Sequence, residues 1–316
     1  MTRPATAGPA RTVFFGSGAF GLPSLRRLVA SPGVDLVAVV TAPARPSGRR
    51  ALLTPTPIER WAADLGVAVL APARLRAPET VDAVLALRPR LAVLADYGQI
   101  VPRPIFDLEL GALNLHPSLL PRHRGATPIP AAILAGDPAT GVTLFRMDAG
   151  LDTGPVVAAE RVPLDGTETA PQLEERLAAV AAELLGRALG PWLRGEIEPK
   201  PQDDAAATFT RPLTRSDGRL DPNRPATELE RRVRALQPWP GSYVEAGGRR
   251  IIVWRASVAR ARPGDAASRI AGHDDGLALV TVEGRLRLLE VQPAGGRRMT
   301  DVELRRGRPA LVGAAV

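Results

Sequence analysis

Three polar residues in two short segments could together carry out acyl-transfer chemistry. Asn114 and His116 lie two positions apart at the end of an apolar run, and side chains two apart on a strand point to the same face. Asp152 follows in a glycine-flanked loop, where its carboxylate could hold the imidazole of His116 protonated and oriented. An amide, an imidazolium and a carboxylate in one small volume suit a reaction in which negative charge builds on a carbonyl oxygen.

Each of these residues also has an ordinary structural interpretation. Asn114 could satisfy a strand end, a single histidine on an apolar strand is more often a hydrogen-bonded core residue, and an aspartate near a glycine often forms a turn. Their joint occurrence is more specific, because residues 118–121 (SLLP) follow the histidine and Asp148 precedes Asp152 by four positions. We therefore predict that Asn114, His116 and Asp152 are catalytic.

The elements that must position these residues form an alternating pattern. Apolar runs of strand length alternate with helix-like segments, which predicts an α/β fold with a doubly wound, mostly parallel sheet. Ligands of such sheets bind at the carboxyl ends of the strands, where His116 falls. The predicted strands are 11–16, 34–41, 67–70, 91–95, 112–116, 141–148 and 155–159, and the predicted helices are 22–29, 57–65, 78–87 and 170–193.

A second domain is predicted after a polar, proline-containing stretch. We expect a catalytic domain over residues 11–194, an interdomain linker over 195–208 and a C-terminal domain over 209–313. The last region has a short arginine-rich helix, 228–236, followed by short β-type runs separated by Gly or Asp turns. Such runs, at 242–246, 249–258, 276–282 and 285–292, predict a small, OB-like antiparallel β-barrel.

The net charge of +8 is unevenly distributed. Residues 1–204 carry 21 basic and 21 acidic side chains, whereas residues 205–316 carry 20 arginines and 12 acidic side chains. The entire excess therefore lies in the second part. This pattern indicates a domain that meets a polyanion, although a solvated arginine-rich surface explains it equally well.

Composition excludes several functional classes. Cysteine is absent, which rules out disulfides, thiol catalysis and cysteine-ligated metal, and the three histidines lack metal-ligand spacing. No apolar run approaches the roughly 20 residues of a membrane helix, and the first ten residues have no signal-peptide core. We expect a cytoplasmic, metal-free protein, and the single two-domain chain suggests a monomer.

A glycine-rich segment points to a competing function. Residues 16–21 (GSGAFG) match the G-x-G-x-x-G pattern of dinucleotide-binding turns. That pattern also needs an acidic residue at the end of the second strand, and residues 40–43 (VTAP) contain none. Arg45 and Arg49 could instead take a 2′-phosphate, so an NADP-dependent reductase remains an alternative. The glycines otherwise form only a tight strand-to-helix turn, and we expect no nicotinamide nucleotide.

Several motifs resemble those of the folate-dependent formyltransferases. Residues 114–121 (NLHPSLLP) and 151–154 (LDTG) resemble their active-site signature, and residues 96–102 (DYGQIVP) resemble their A-Y-G-x-I-L-P motif. Residues 122–129 (RHRGATPI) resemble R-W-R-G-A-A-P-I, with His123 in place of Trp. The C-terminal segments QPWPGS, VWRAS and LEVQPAGGRRM resemble the barrel of the members that act on methionyl-tRNA, so the likeness runs from Thr12 to about Leu304.

The resemblance implies a reaction and its participants. The formyl group of 10-formyltetrahydrofolate, the co-substrate, would pass to the α-amine of initiator methionyl-tRNA. Asn114 and a protonated His116 would stabilise the oxyanion, and Asp152 would move the proton from the amine to the folate nitrogen. The folate would be bound by Tyr97, Gly98, Ser118, Leu119, Leu120 and Pro121. Asp96, where the family usually has Ala, is unexplained.

A basic, irregular loop over residues 41–57 would bind the tRNA. By itself it is equally compatible with a solvated loop, but in the family a loop with a P-D-R-P-x-G-R core inserts against the acceptor stem. The corresponding residues here are Arg45, Arg49 and Arg50, and Ala44 replaces the usual acid. Glycinamide ribonucleotide and sugar-nucleotide formyltransferases, a formyltetrahydrofolate hydrolase and a non-catalytic tRNA-binding protein remain alternatives.

Overall fold

The structure is a computed structural model that describes residues 8–47 and 52–316. The described chain divides into two compact units. The first unit holds the chain up to Pro128 together with Ala139–Pro163 and Glu174–Thr210. The second unit holds Ile129–Pro138, Leu164–Leu173 and Arg211–Val316.

Up to Thr210 the chain has the predicted strands and helices, together with several short elements that were not predicted. The strands are β1 (Ala10–Phe15), β2 (Val34–Val40), β3 (Arg45–Ser47), β4 (Leu52–Thr54), β5 (Val69–Leu70), β6 (Leu91–Leu94), β7 (Ala112–His116), β8 (Arg124–Gly125), β9 (Ala139–Arg146), β10 (Val156–Pro163) and β11 (Phe209–Thr210). The helices are α1 (Gly21–Val29), α2 (Pro57–Asp64), α3 (Pro78–Ala86), α4 (Arg103–Phe106), α5 (Pro128–Ala135) and α6 (Ala170–Leu193).

A seven-stranded sheet forms the first unit, in the order β10-β9-β7-β6-β1-β2-β5. Neighbouring strands are parallel from β7 to β5, and β9 and β10 are added antiparallel at the other edge. Val13, Phe14 and Phe15 of the central strand β1 are all fully buried. Because successive side chains point to opposite faces, the sheet is covered on both sides, as parallel sheets require. The predicted fold class of this part is confirmed.

The second unit contains a curled antiparallel sheet that forms a half-barrel. Its strand order is β12-β13-β16-β15-β14, with β17 pairing to β16. Within residues 211–316, all of which the structure describes, β12 and β14 do not pair, so the barrel stays open. Its elements are α7 (Ala226–Ala235), β12 (Ser242–Ala246), β13 (Arg249–Ala259), β14 (Ile270–His273), β15 (Gly276–Val280), β16 (Arg285–Pro293), β17 (Met299–Thr300) and α8 (Asp301–Gly307).

The basic loop after β2 is more regular than its sequence indicates. Strands β3 and β4 pair antiparallel, with Arg45 opposite Thr54 and Pro46 opposite Leu53. The expected irregular loop is therefore a short hairpin, and Leu52 and Leu53 on it are exposed. Strands of three residues leave no readable period in the sequence. Arg49 and Arg50, which were predicted to bind tRNA, lie outside the described residues.

The stretch predicted as an interdomain linker lies inside the first unit instead. Lys200 forms an antiparallel bridge with Val156, and strand β11 pairs parallel with β8. Composition indicates a linker because the stretch has little to bury, but polar side chains can anchor a segment through hydrogen bonds as well. Among the described residues, no helix is both long enough and apolar enough to cross a membrane.

Candidate active site

Strand β7 places Asn114 and His116 next to each other on one side of the sheet. Leu113 and Leu115, which alternate with them, are fully packed in the core. Asn114 lies opposite Phe145 and His116 opposite Thr143 on β9. Asn114 is half-buried, and its side-chain amide makes no hydrogen bond within residues 8–47 and 52–316. The amide is therefore available to a substrate.

Both ring nitrogens of the buried His116 face protein groups. Nε2 lies 2.9 Å from the backbone oxygen of His123, and Nδ1 lies 3.7 Å from Oδ2 of Asp152. A carbonyl oxygen only accepts, so Nε2 must carry hydrogen and donate to it. In the neutral imidazole, Nδ1 then presents its lone pair on the side of the carboxylate.

The surroundings of His116 act in opposite directions on the pKa of its imidazole. Burial lowers the pKa of the His116 imidazole below its usual value, and this outweighs the Asp152 carboxylate and the His123 carbonyl, which raise it. The Nδ1–Oδ2 distance is also longer than a hydrogen bond. Burial thus favours the neutral imidazole, while the contact with Asp152 favours the imidazolium that the sequence predicts. Burial has the larger effect, and burial depends on the packed structure.

Asp152 is held at the turn of a tight loop. Its φ of 54° lies in the left-handed region, which aspartate tolerates better than most residues. Oδ1 of Asp148 accepts hydrogen bonds from the backbone N–H of Gly150 and from the hydroxyl of Thr153, which shapes the loop. Oδ2 of Asp152 accepts a 2.7 Å hydrogen bond from the backbone N–H of Gly125. The structure thus brings His116 and Asp152 together, as predicted from the motif.

The SLLP segment is held in place by its own hydrogen bonds. The Ser118 hydroxyl is buried and donates to the backbone oxygen of Arg122 at 2.6 Å. The Thr143 hydroxyl donates to the Ser118 carbonyl and accepts from the N–H of Leu120. Leu119 lies against Gly141, where a side chain would collide with it. Pro121 accepts from the N–H of Thr208. These contacts fix the path of the chain beside His116.

Tyr97 and Gly98, also predicted to bind folate, follow strand β6. The Tyr97 ring meets Phe15 edge to face, with ring centroids 5.4 Å apart. Burial raises the pKa of Tyr97 to about 12, so its hydroxyl stays protonated. Among the described residues this buried hydroxyl has no hydrogen-bond partner. Gly98 has open space where a side chain would project.

The glycine-rich turn has a structural explanation that requires no nucleotide. A side chain at Gly16 or Gly21 would lie 2.7 Å from the backbone oxygen of Ala95, and one at Gly18 would collide with the Asp96 carboxylate. The glycines therefore allow the end of β6 to approach the turn closely. The Asp96 carbonyl accepts a hydrogen bond from the N–H of Ser17, and its carboxylate accepts one from the N–H of Gly18. Asp96 thus anchors this turn, which explains the departure from alanine.

A cavity of about 430 Å³ lies next to the Asp152 loop. It is lined by Arg103, Phe106, Asp107, Arg146, Met147, Asp148, Ala149 and Pro155. None of these residues is among the predicted folate ligands. Asp148 belongs to the sequence pattern around Asp152. Among the described residues, no group of three or more His, Asp or Glu side chains is placed to hold a metal ion.

Two residues that support the candidate catalytic side chains were not predicted. The His123 carbonyl accepts from His116, and Gln202 donates to the backbone of the Asp152 loop. His123 was noted only as a replacement for Trp, and Gln202 lay in the predicted linker. The only available signal was the polar composition around Gln202, which also suits a linker.

Comparison with known proteins places this fold and site in a family. Residues 10–189 match the formyl transferase family model, and residues 212–309 match the model of the formyl transferase C-terminal domain. The chain belongs to the formyl transferase family, which confirms the predicted resemblance. It is an enzyme of the formyl-transfer class.

Particular relatives are similar over nearly the whole chain. The methionyl-tRNA formyltransferase of Halorhodospira halophila is 45% identical over 97% of this chain and 99% of its own. That of Roseiflexus sp. is 43% identical over 95% of this chain and 93% of its own. The solved N-formyltransferase of Helicobacter canadensis, in complex with folinic acid and dTDP-3-aminofucose, has a TM-score of 0.64 at 13% identity, covering 88% of this chain and 98% of that one. This last likeness concerns the fold alone.

Proposed function

We propose that this protein transfers the formyl group of 10-formyltetrahydrofolate to the α-amine of initiator methionyl-tRNA. The observation that carries the proposal is the placement of His116 against Asp152 beside an available Asn114 amide. The identity of 45% to a methionyl-tRNA formyltransferase over nearly the full length supports the choice of substrate. We propose further that the enzyme acts as a cytoplasmic monomer and needs no metal.

Asn114 supplies the donor for the oxyanion. Attack of the amine on the formyl carbon turns the carbonyl oxygen into an oxyanion, which is stabilised by donors already in position. The Asn114 amide has no competing partner among the described residues, whereas the Nε2–H of His116 is bound to the His123 carbonyl. The main oxyanion donor is therefore Asn114, and His116 has a different role.

The His116–Asp152 pair handles the proton. The neutral imidazole has its Nδ1 lone pair directed to the side of Asp152, so the pair can take one proton between them. The amine nitrogen bonds to the formyl carbon and passes a proton to the pair. The pair then protonates N10 of the folate, the bond from the formyl carbon to N10 breaks, and the oxyanion returns to a carbonyl. The products are the N-formylated acceptor and tetrahydrofolate, and the pair is restored.

The folate is bound beside this pair. The free hydroxyl of Tyr97 and the open space at Gly98 support a ligand along the chain after β6. The cavity that Met147 and Asp148 help to line offers both apolar and polar surface to a ligand next to the Asp152 loop. Ser118, Leu119, Leu120 and Pro121 act mainly by holding the chain that carries His116.

The tRNA is bound by the basic hairpin and by the second unit. Arg45 is exposed on β3, next to the exposed Leu52 and Leu53 of β4. Arg49 and Arg50 extend this basic segment in the sequence. The excess of 20 arginines over 12 acidic residues after residue 204 supports contacts with the phosphate backbone.

The decisive test is transfer of a labelled formyl group from 10-formyltetrahydrofolate to charged initiator tRNA. Uncharged tRNA, elongator methionyl-tRNA and an amino-sugar nucleotide serve as parallel acceptors. Formylation confined to initiator methionyl-tRNA is the expected result. Formylation of the sugar amine instead would leave the catalytic residues in place and overturn the tRNA assignment, and no formylation of any acceptor would overturn the proposed chemistry.

A further inference from the structure

One segment after α6 makes contacts to both sides of the candidate active site. We call residues 200–210 the bracing segment. The side-chain NH2 of Gln202 in this segment donates to the backbone oxygens of Asp152, at 2.8 Å, and Gly154, at 2.7 Å. One of these carbonyls belongs to Asp152, whose left-handed backbone presents its carboxylate, and the other lies two residues further along the loop. A single amide therefore holds the loop at Asp152 and on its C-terminal side.

The other end of the Gln202 amide is held by a buried arginine. Oε1 of Gln202 accepts hydrogen bonds from Nε of Arg124, at 3.1 Å, and from Nη2, at 2.8 Å. The Arg124 side chain is only 3% exposed, and its Nη2 also pairs with Asp204 at 2.7 Å. The NH2 group and the oxygen of the Gln202 amide thus both have partners, and these partners determine which position holds the nitrogen and which the oxygen.

Two threonines of the bracing segment hold the chain on the His116 side of the site. The Thr208 hydroxyl accepts from the N–H of His123 at 2.8 Å, and the Thr210 hydroxyl donates to the Arg124 carbonyl at 3.1 Å. The chain held in this way supplies the His123 carbonyl to His116 and the Gly125 N–H to Asp152. The bracing segment therefore contacts both stretches of backbone, residues 123–125 and 152–154, that set the distance between His116 and Asp152.

We propose that Gln202 is a positioning residue for formyl transfer, which it serves by fixing the Asp152 loop against the chain that holds His116. The inference rests on the proposed function of the His116–Asp152 pair. The hydrogen bonds of Gln202 described in the structure go to Arg124 and to backbone oxygens, not to the side chain of either member of the pair. A displacement of about 1 Å in such a site can cost about 10²-fold in rate without loss of substrate binding.

Two substitutions separate the contacts of Gln202. Gln202→Asn keeps the amide but shortens its reach by one methylene, so it cannot contact Arg124 and the loop together. Gln202→Glu keeps the acceptor for Arg124 and replaces the donors to the loop with a carboxylate that repels its carbonyls. Asp203→Asn is the matched control, because Asp203 is an exposed neighbour whose side chain, among the described residues, accepts a hydrogen bond within the segment from the N–H of Ala205.

The expected result is a fall in kcat of about 10²-fold for both Gln202 variants, with each KM within about threefold of wild type. The control should match wild type. Wild-type kcat in both folded Gln202 variants would overturn the proposal. Failure of both variants to fold would assign Gln202 to the stability of the fold, which would also overturn it.

A second readout is independent of the reaction. The chain has only three histidines, so nitrogen-15 spectra of labelled imidazoles can follow His116 alone. The charged and titratable groups that face it are Asp152, which raises its pKa, and His123, whose charged form lowers it. In Gln202→Asn, withdrawal of Asp152 should lower the pKa of His116 further. An unchanged titration contradicts the positioning role even if the wild-type enzyme proves to formylate another acceptor.

Discussion

The backbone N–H of Gly125 donates a 2.7 Å hydrogen bond to Oδ2 of Asp152, the same oxygen that lies 3.7 Å from Nδ1 of His116. The Asp152 carboxylate therefore has a backbone donor in hydrogen-bond contact, whereas the imidazole lies beyond hydrogen-bond distance. The distance from Nδ1 of His116 to Oδ2 of Asp152 is therefore longer than that of a hydrogen bond. In this arrangement burial is the largest influence on the pKa of His116 and favours its neutral form, which is the form that the proposed proton transfer uses.

The pH dependence of the reaction follows from that charge. Because the pKa of His116 is lowered from its ordinary value of about 6.5, the basic form is lost only below that pH. We expect kcat/KM to be independent of His116 at neutral and alkaline pH and to fall on the acid side below about 6.5. Asp152→Asn, which can still accept from Gly125, should move this acid limb to lower pH.

The measurement is kcat/KM against pH with a slowly reacting amine acceptor, so that chemistry limits the rate. Titration of the acceptor's own amine is measured separately and subtracted. A rate that rises as the pH falls toward 5 would mean that the imidazolium is the active form, and the neutral-base assignment would be wrong.

Replacement of Asn114 tests the oxyanion donor. Asn114→Ala should lower kcat by about 10²–10³-fold, because one donor to the oxyanion is lost. The melting temperature should stay unchanged, since the amide makes no hydrogen bond within residues 8–47 and 52–316. Asn114→Asp, of nearly the same shape, should be at least as slow. Near wild-type turnover in the alanine variant would show that Asn114 is not the oxyanion donor.

The pKa of Asp96 predicts a stability effect that has no counterpart in family members with alanine at this position. Burial of its carboxylate against the turn, together with the negative charge of Glu174, raises the pKa of Asp96 to about 6. The folded protein binds this proton more tightly than the unfolded chain, so stability falls as the pH rises from about 4 to 6. Asp96→Asn should therefore be more stable than wild type at pH 8, with the difference vanishing near pH 4.

Urea denaturation at a series of pH values measures this difference directly. Glu174→Gln is the companion variant, because removal of the nearby charge should lower the pKa of Asp96 and shift the transition to lower pH. Equal denaturation midpoints for wild type and Asp96→Asn across the whole range would show that the carboxylate is well solvated.

Salt dependence tests the basic hairpin. If Arg45 contacts a phosphate, Arg45→Ala should reduce the slope of log KM for methionyl-tRNA against log salt by about 1. The KM for the folate should not change. Arg187→Ala is the control, because Arg187 is also exposed but pairs with Glu160 on β10. A slope equal to that of wild type would show that the hairpin arginine meets no phosphate.

Much of the fold was predictable because it depends on local pattern. Strands β1, β2, β6 and β7 and helices α1, α2 and α6 were expected within one to two residues of their observed ends. Short elements such as α4, β8 and the β3–β4 hairpin were not predicted. They are two to four residues long and depend on tertiary contacts, so their sequences contain no period to detect.

For the candidate site, the sequence by itself determined that Asn114 and His116 share a face, since two positions on a strand always do. Tertiary structure alone decided the burial that lowers the pKa of His116, because burial depends on everything packed around the ring. It alone also brought Gln202 to the Asp152 loop across 50 positions of sequence. Such a contact leaves no local pattern in the sequence. It depends on the path of the chain between the two residues and not on the composition of either segment.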